Sequence, residues 1–257
     1  MEAKLLPPSI GGLFGLAFST YVERAPFFLL LALAAFAASA IVEFMLPAVS
    51  LATQQGQFKL YILILTGVVV DAYIIAAVAL AVGMRVGGAQ ASSETLADAA
   101  VARWPRVVAV TVLANIYILS TSPYGGFIGL PEPRAVSLVA VPVTWLLWTM
   151  LGLTGPLAAL SAERGPLAIV TGFGRAFTVS LKRANLGRLC LLAAVTLIPM
   201  MLQAILQNEL ELHHVARALF WANAPIDALV VGPLAALQTA FALDFARRSG
   251  VLETPKP

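Results

Sequence analysis

The sequence has little charge, a single cysteine and two histidines. Charged residues make up 11% of the 257 residues and hydrophobic residues 60%, against about 25% and about 45–50% in soluble domains. So few charges cannot cover the surface of a soluble domain of this length. So apolar a chain is not intrinsically disordered either. Because Cys190 is the only cysteine, a disulfide scaffold is excluded. An integral membrane protein remains.

Six apolar runs are long enough to cross a bilayer core, which takes about 20 helical residues. None alternates apolar and polar residues as a strand of a membrane barrel does. The sequence therefore predicts an all-α integral membrane protein with six transmembrane helices in a single membrane domain, 1–257. The predicted spans cover residues 27–46, 60–84, 104–121, 135–160, 189–206 and 219–245.

The basic residues are distributed unevenly between the two sides that six spans define. With the N-terminus inside, thirteen of the sixteen Lys and Arg residues fall on the cytoplasmic side. Short cytoplasmic loops carry an excess of these residues in membrane proteins. We therefore expect both termini to lie in the cytoplasm.

An internal repeat runs through the chain. The segment FGLAFS, which begins at Phe14, is matched by FGRAFT, which begins at Phe173. The same offset relates Arg24 to Arg183, and Arg103 lies midway between them. Each of these arginines directly precedes an apolar run. Self-similarity at a fixed period indicates repeated structural units, here of about 80 residues each. The pattern predicts three parallel repeat units over residues 9–85, 91–164 and 168–248.

Each unit begins with a segment that we predict to be an amphipathic helix on the cytoplasmic surface. A basic polar face opposite an aromatic apolar face is typical of helices that lie in the membrane interface. The middle segment, residues 93–101, has a weaker pattern and carries Glu94 and Asp98. The first has its apolar face at Ile10, Leu13, Phe14, Ala17, Phe18 and Tyr21. The third has Ile169, Phe173, Phe177 and Leu181 on one face, with Arg175, Thr178 and Lys182 opposite.

Two acidic residues stand out. Asp71 lies near the middle of the second predicted span, where a carboxylate costs about 2.5–3.5 kcal/mol. It is a candidate proton or cation site, or a hydrogen-bonding group between helices of the bundle. Asp244 precedes Arg247 and Arg248 by three and four positions, which predicts an ion pair along one helix.

Arg24, Arg103, Lys182 and Arg183 mark equivalent cytoplasmic corners of the three units. Basic residues beside a membrane attract anionic lipid headgroups by about 1 kcal/mol each. They also follow the positive-inside pattern without any further role. We therefore expect membrane lipids as partners, with a membrane-protein partner as a further possibility.

Other site chemistry has little support in the sequence. Glu209 and His213 share a helical face, but a zinc site usually needs three or four ligands. The same segment fits an amphipathic outer loop, so no metal or cofactor is predicted. No catalytic constellation is recognisable, and we expect no enzyme. A net charge of +3 gives no basis for nucleic-acid binding.

Several segments resemble those of a known protein family. They are the residues around Gly155-Pro156, Glu163 and Gly165-Pro166, the run RAFTVSLKRANLGRL and the opening FGLAFSTYVERAPFFLL. The chain resembles the six-span membrane domain of glycerophosphoryl diester phosphodiesterases and the related stand-alone bacterial membrane proteins of the YciC type. The resemblance implies a bacterial inner-membrane location. It implies no catalysis, because those enzymes use a separate soluble barrel that this sequence lacks.

Two functions follow as hypotheses. The first is a non-catalytic multi-pass membrane protein that handles lipids or organises a membrane complex. The second is a small proton- or ion-coupled transporter or permease that uses Asp71, with the prolines of the spans as sites of broken helices.

Overall fold

The computed structural model describes residues 6–45, 54–121, 143, 145–163, 165–212 and 216–250, and every regular element in these ranges is an α-helix. The helices are α1 (Ile10–Glu23), α2 (Ala25–Met45), α3 (Gln54–Val86), α4 (Ser93–Thr121), α5 (145–152), α6 (Thr154–Leu160), α7 (Pro166–Ser180), α8 (Arg183–Leu212) and α9 (Ala216–Arg248).

Three helical segments in the described part of the chain are long and apolar enough to cross a membrane. They are Ala25–Met45, Leu65–Val86 and Leu229–Arg248, with mean hydropathies of 2.4, 2.3 and 1.6. The first also exposes large apolar side chains, among them Leu30 and Leu33, as a lipid-facing helix does. The all-α class predicted from the sequence is confirmed for the described residues, and these three segments agree with the predicted membrane character. Residues 122–142, which include the start of the predicted fourth span, lie outside the described ranges.

Short local signals set where the helices begin and end. The Ser9 side chain accepts a hydrogen bond from the backbone N–H of Gly12 and caps α1. Ser92 accepts one from the N–H of Thr95 at the start of α4. Such caps satisfy N–H groups that have no partner within the helix. Past the ends of α3 and α9, Gly88 and Gly250 take φ values of 76° and 70°, a region that glycine enters without steric strain.

The core is built around α3 and α9. Helix α3 packs against α1, α2, α4, α6 and α9, and α9 also contacts α7 and α8. In the second half of α3, residues 76–80 are all buried. Three of these five residues are alanines, and small side chains let neighbouring helices approach closely, which suits the central position of α3. Helix α6 is short, and all seven of its residues are buried.

The structure differs in two ways from the surface helices that the sequence predicts. Helix α4 runs without a break from Ser93 to Thr121, so the second unit has no separate surface helix that ends at Arg103. The segment before Arg103 is rich in alanine, which has the highest helix propensity, and the helix also continues through Pro105. The predicted apolar face of α1 is also partly internal, because Leu13 and Ala17 are buried.

Candidate functional site

Most of the described basic side chains lie at one end of the bundle. This end, which we call the basic end, comprises the last turns of α3 and α9, the first turns of α4 and α8, and the helices α1 and α7. Arg24 at the end of α1 donates to the backbone carbonyl of Ala91, with Nη2 and O 2.6 Å apart. Arg85 at the end of α3 pairs with Glu23, with Nη1 and Oε2 2.6 Å apart. These contacts join the α1–α2 corner to the α3–α4 turn.

Arg106 holds the end of α6. Its Nη1 donates to the carbonyl of Glu163 at 2.6 Å, and its Nη2 donates to the carbonyls of Ala159 and Ser161 at 2.9 and 3.0 Å. The last carbonyls of a helix have no partner within the helix, and they form the negative end of its dipole. A guanidinium that bonds to them is therefore a side-chain cap for α6.

Arg103 lies one turn before Arg106, on the buried face of α4. It shares that face with Ala100 and Val107, which are both fully buried. Its Nη1 donates to the carbonyl of Ala99 at 3.3 Å, and its Nε is buried without a hydrogen-bond partner. Burial lowers the pKa of Arg103 below the ordinary arginine value, because desolvation disfavours the charged form.

Three arginines surround one fully buried carboxylate, that of Asp244 in α9. Arg188 of α8 contacts Oδ2 at 2.5 Å, Arg247 contacts Oδ1 at 2.7 Å, and Arg248 contacts Oδ2 through Nε at 2.9 Å. The ion pairs with Arg247 and Arg248 confirm the sequence prediction for this helix. The sequence did not predict the third arginine or the complete burial of Asp244. We call Asp244, Arg188, Arg247 and Arg248 the arginine cluster.

The arginine cluster also binds the chain just before α1. Arg247 donates to the carbonyls of Leu6 and Pro7 at 2.7 and 3.2 Å, and Arg188 donates to the carbonyl of Pro8 at 2.8 Å. Proline has no N–H, and its ring fixes φ, so Pro7 and Pro8 present their carbonyls in a restricted backbone. The cluster therefore links α8 and α9 to the start of α1.

A second contact joins α8 to the end of α9. Lys182, directly before α8, donates from Nζ to the carbonyl of Ser249 at 2.8 Å. The buried Asn185 donates to the carbonyls of Val179 and Phe245 at 2.7 and 3.4 Å. The end of α7, the start of α8 and the end of α9 therefore meet at one corner of the basic end.

The residues predicted as binding sites have different surroundings. Arg24, Arg103 and Lys182 all donate to backbone carbonyls of this chain, which gives each a structural role. Arg183, the first residue of α8, is exposed. Asp71 is half-buried in α3, within the segment Leu65–Val86, and it interacts with another residue.

Both short helices of the basic end expose apolar side chains. Phe18 and Val22 of α1 are 71% and 49% exposed. Leu167 and Val170 of α7 are 67% and 68% exposed, and Leu181, directly after α7, is 59% exposed. Next to this surface, Tyr21 is half-buried, and burial raises the pKa of its phenol. An apolar surface beside basic residues fits the level of lipid headgroups.

Metal chemistry gains no support from the part of the chain that the structure describes. No group of three or more His, Cys, Asp and Glu side chains lies close enough to hold a metal ion in the described ranges. The residue pair that the sequence offers is Glu209 and His213, and His213 lies outside those ranges.

Comparisons with protein-family models, with curated proteins and with solved structures give no match for this chain. The geometry of the basic end is therefore the main evidence for the function of this chain.

Proposed function

We propose that this chain is a non-catalytic, multi-pass protein of the bacterial inner membrane that binds anionic lipids at its basic end and handles or organises them. A single observation carries the proposal: α1 and α7 each bury one face in the bundle and expose apolar side chains on another, directly beside basic residues. Water disfavours such a surface, whereas the boundary between headgroups and acyl chains accommodates it.

The burial pattern of the two helices supports the proposal. Several positions related by the offset between FGLAFS and FGRAFT have the same environment, although Phe18 is exposed and its counterpart Phe177 is half-buried. Ala17 and Ala176 are both buried, and so are Thr20 and Val179. Val22 and Leu181 are both exposed. Because α1 and α7 share buried and exposed positions, we expect them to have the same role in their two repeat units.

The proposal includes six spans, three parallel units and cytoplasmic termini. Besides the three apolar segments named above, α4 and α8 have 29 and 30 residues, enough to cross a bilayer core of about 30 Å at about 1.5 Å per residue. Membership of the glycerophosphoryl diester phosphodiesterase membrane-domain and YciC-like group is part of the same proposal. It depends on the motifs around Gly155 and Glu163.

Site-directed fluorescence tests whether the exposed apolar residues lie in the membrane interface. In a Cys190→Ser background, Phe18→Cys and Leu181→Cys are labelled with an environment-sensitive dye. The protein is then reconstituted in vesicles of phosphatidylglycerol and phosphatidylcholine. We expect blue-shifted emission that spin-labelled lipids quench. The matched control is Glu23→Cys, since Glu23 follows Val22 and its side chain is 61% exposed. Emission typical of water at both apolar positions would contradict the proposal.

Lipid preference tests the second half of the proposal. The purified protein is titrated with phosphatidylglycerol and with phosphatidylcholine in detergent, and bound lipid is counted by native mass spectrometry. Basic residues near a membrane surface contribute about 1 kcal/mol each toward anionic lipid, so we expect a preference for phosphatidylglycerol of at least about fivefold. Equal binding of the two lipids would overturn the lipid-handling function.

A further inference from the structure

We infer that the arginine cluster, together with Lys182, is a binding site for one phosphate group, and that this group belongs to an anionic lipid headgroup. The inference rests on the proposed function and deepens it, because it assigns one specific site and one ligand chemistry to the basic end.

The first step is the charge of the arginine cluster. Three guanidinium groups contact a single carboxylate, and in the described part of the chain Asp244 is the only carboxylate in salt-bridge contact with them. Lys182 adds a further positive charge, since its ammonium group bonds to Ser249, the residue next to Arg248. The cluster and Lys182 together hold a surplus of three positive charges.

The dipoles of the two adjoining helices do not remove this surplus. The end of α9 contributes about half a negative charge, and the start of α8 about half a positive charge. Because the end of α9 and the start of α8 meet at this corner, the two contributions nearly cancel. Capping of the negative end of α9 accounts for one basic side chain at this corner. The remaining positive charge is not compensated by the helix ends.

The second step is the use of the hydrogen-bond donors. Arg188 and Arg247 each bond to Asp244 and to carbonyls of residues 6–8 through their terminal nitrogens. Among the described residues, Arg248 bonds to Asp244 alone and does so through Nε, so both terminal nitrogens of its guanidinium fork remain available. The Arg248 side chain is 33% exposed, and its two terminal nitrogens are not buried. An outside ligand therefore has access to them.

The third step is the match to a ligand. A guanidinium fork binds two oxygens of a phosphate at once, and a lysine ammonium adds a point charge. Arg188 and Arg247 are positioning residues, because they hold Asp244, which in turn fixes Nε of Arg248. The exposed Leu181 directly precedes Lys182. An apolar group beside a phosphate site fits a phospholipid better than free phosphate, and it places the acyl chains next to α7.

The test uses the full-length protein in detergent and two phosphate sources. Phosphatidylglycerol is titrated by native mass spectrometry, and inorganic phosphate is titrated at millimolar concentration while thermal unfolding is followed. We expect Arg248→Gln and Lys182→Gln each to weaken phosphatidylglycerol binding about five- to tenfold. The matched control is Lys59→Gln, which also removes one charge but lies in the first turns of α3, at the end of that helix opposite Arg85 and outside the basic end. This control should change binding less than twofold.

A second variant keeps the test decisive if Arg248→Gln folds poorly. Arg248→Lys retains the charge but loses the fork, and we expect phosphatidylglycerol binding between those of the wild type and Arg248→Gln. Equal binding by Arg248→Gln, Lys182→Gln and Lys59→Gln, with the wild type still preferring phosphatidylglycerol, would overturn the site and leave the proposed function intact. A wild type without that preference would overturn both. Stabilisation by inorganic phosphate that these variants abolish, without a lipid preference, would assign the site to free phosphate and overturn the lipid assignment.

Discussion

Replacement of Asp244 by asparagine is the sharpest test of how the basic end is held together. The Asp244 side chain is fully buried, and its two oxygens receive contacts from three arginines at 2.5–2.9 Å. The asparagine side chain would keep the shape and lose the charge. Its amide NH₂ group would then face either Arg247 or the pair Arg188 and Arg248. In either case, two hydrogen-bond donors would oppose each other. Three guanidinium groups would also converge with no negative charge between them.

The magnitude follows from these contacts. A hydrogen bond to a charged group contributes about 1.5–3 kcal/mol, and breaking a buried ion pair costs about 3–5 kcal/mol. The arginines are 13–33% exposed, so water compensates them in part, and the lower end of the range applies. We expect Asp244→Asn to lower the free energy of unfolding by about 3 kcal/mol. For a domain of roughly this size, that lowers Tm by about 6–12 °C.

Thermal unfolding in detergent, followed by tryptophan fluorescence, measures this change. The control is Glu23→Gln, which breaks an ion pair whose carboxylate side chain is 61% exposed and which should cost less than about 1 kcal/mol. Hydrogen exchange supplies a second readout. The start of α1 should exchange faster in Asp244→Asn, because Arg188 and Arg247 also hold residues 6–8. A loss below about 1 kcal/mol with unchanged exchange at α1 would refute the reasoning.

Three further predictions concern other parts of the molecule. Arg106→Gln removes the cap of α6 and should lower stability by about 1–2 kcal/mol, measured by thermal unfolding; no change would show that water replaces the guanidinium. Gly232→Ala places a Cβ 2.5 Å from the ring of Tyr21 and should cost about 1–3 kcal/mol. Gly67→Ala, with no atom within 4 Å of the new Cβ, should cost nothing by the same assay. Asp71→Asn should leave lipid binding unchanged; an Asp71-dependent proton flux in proteoliposomes would favour a permease instead.

The sequence predicted the helical class, the membrane character and the ion pairs within α9, for reasons that are local. Apolar runs and the spacing of Asp244 from Arg247 and Arg248 are properties of one segment at a time. A separate surface helix that ends at Arg103 was wrong, because α4 continues through Arg103 and through Pro105, a residue that disfavours the helix interior. The spacing of Ala100, Arg103 and Val107 places Arg103 on the same helix face as two fully buried residues.

The arginine cluster as a whole could not be predicted from the sequence, because its residues come together only in the tertiary structure. Arg188 is 56 residues from Asp244 in the chain, and Leu6 is 241 residues from Arg247, so no local pattern relates them. By itself, the sequence determined that few charges are present, and it predicted that most of the basic ones lie on one side of six spans, because hydropathy and charge are additive along the chain. Only the packing of α1, α8 and α9 decided which of those charges are used by the protein's own carbonyls and which remain for a ligand. That choice depends on distances between segments that lie far apart in sequence.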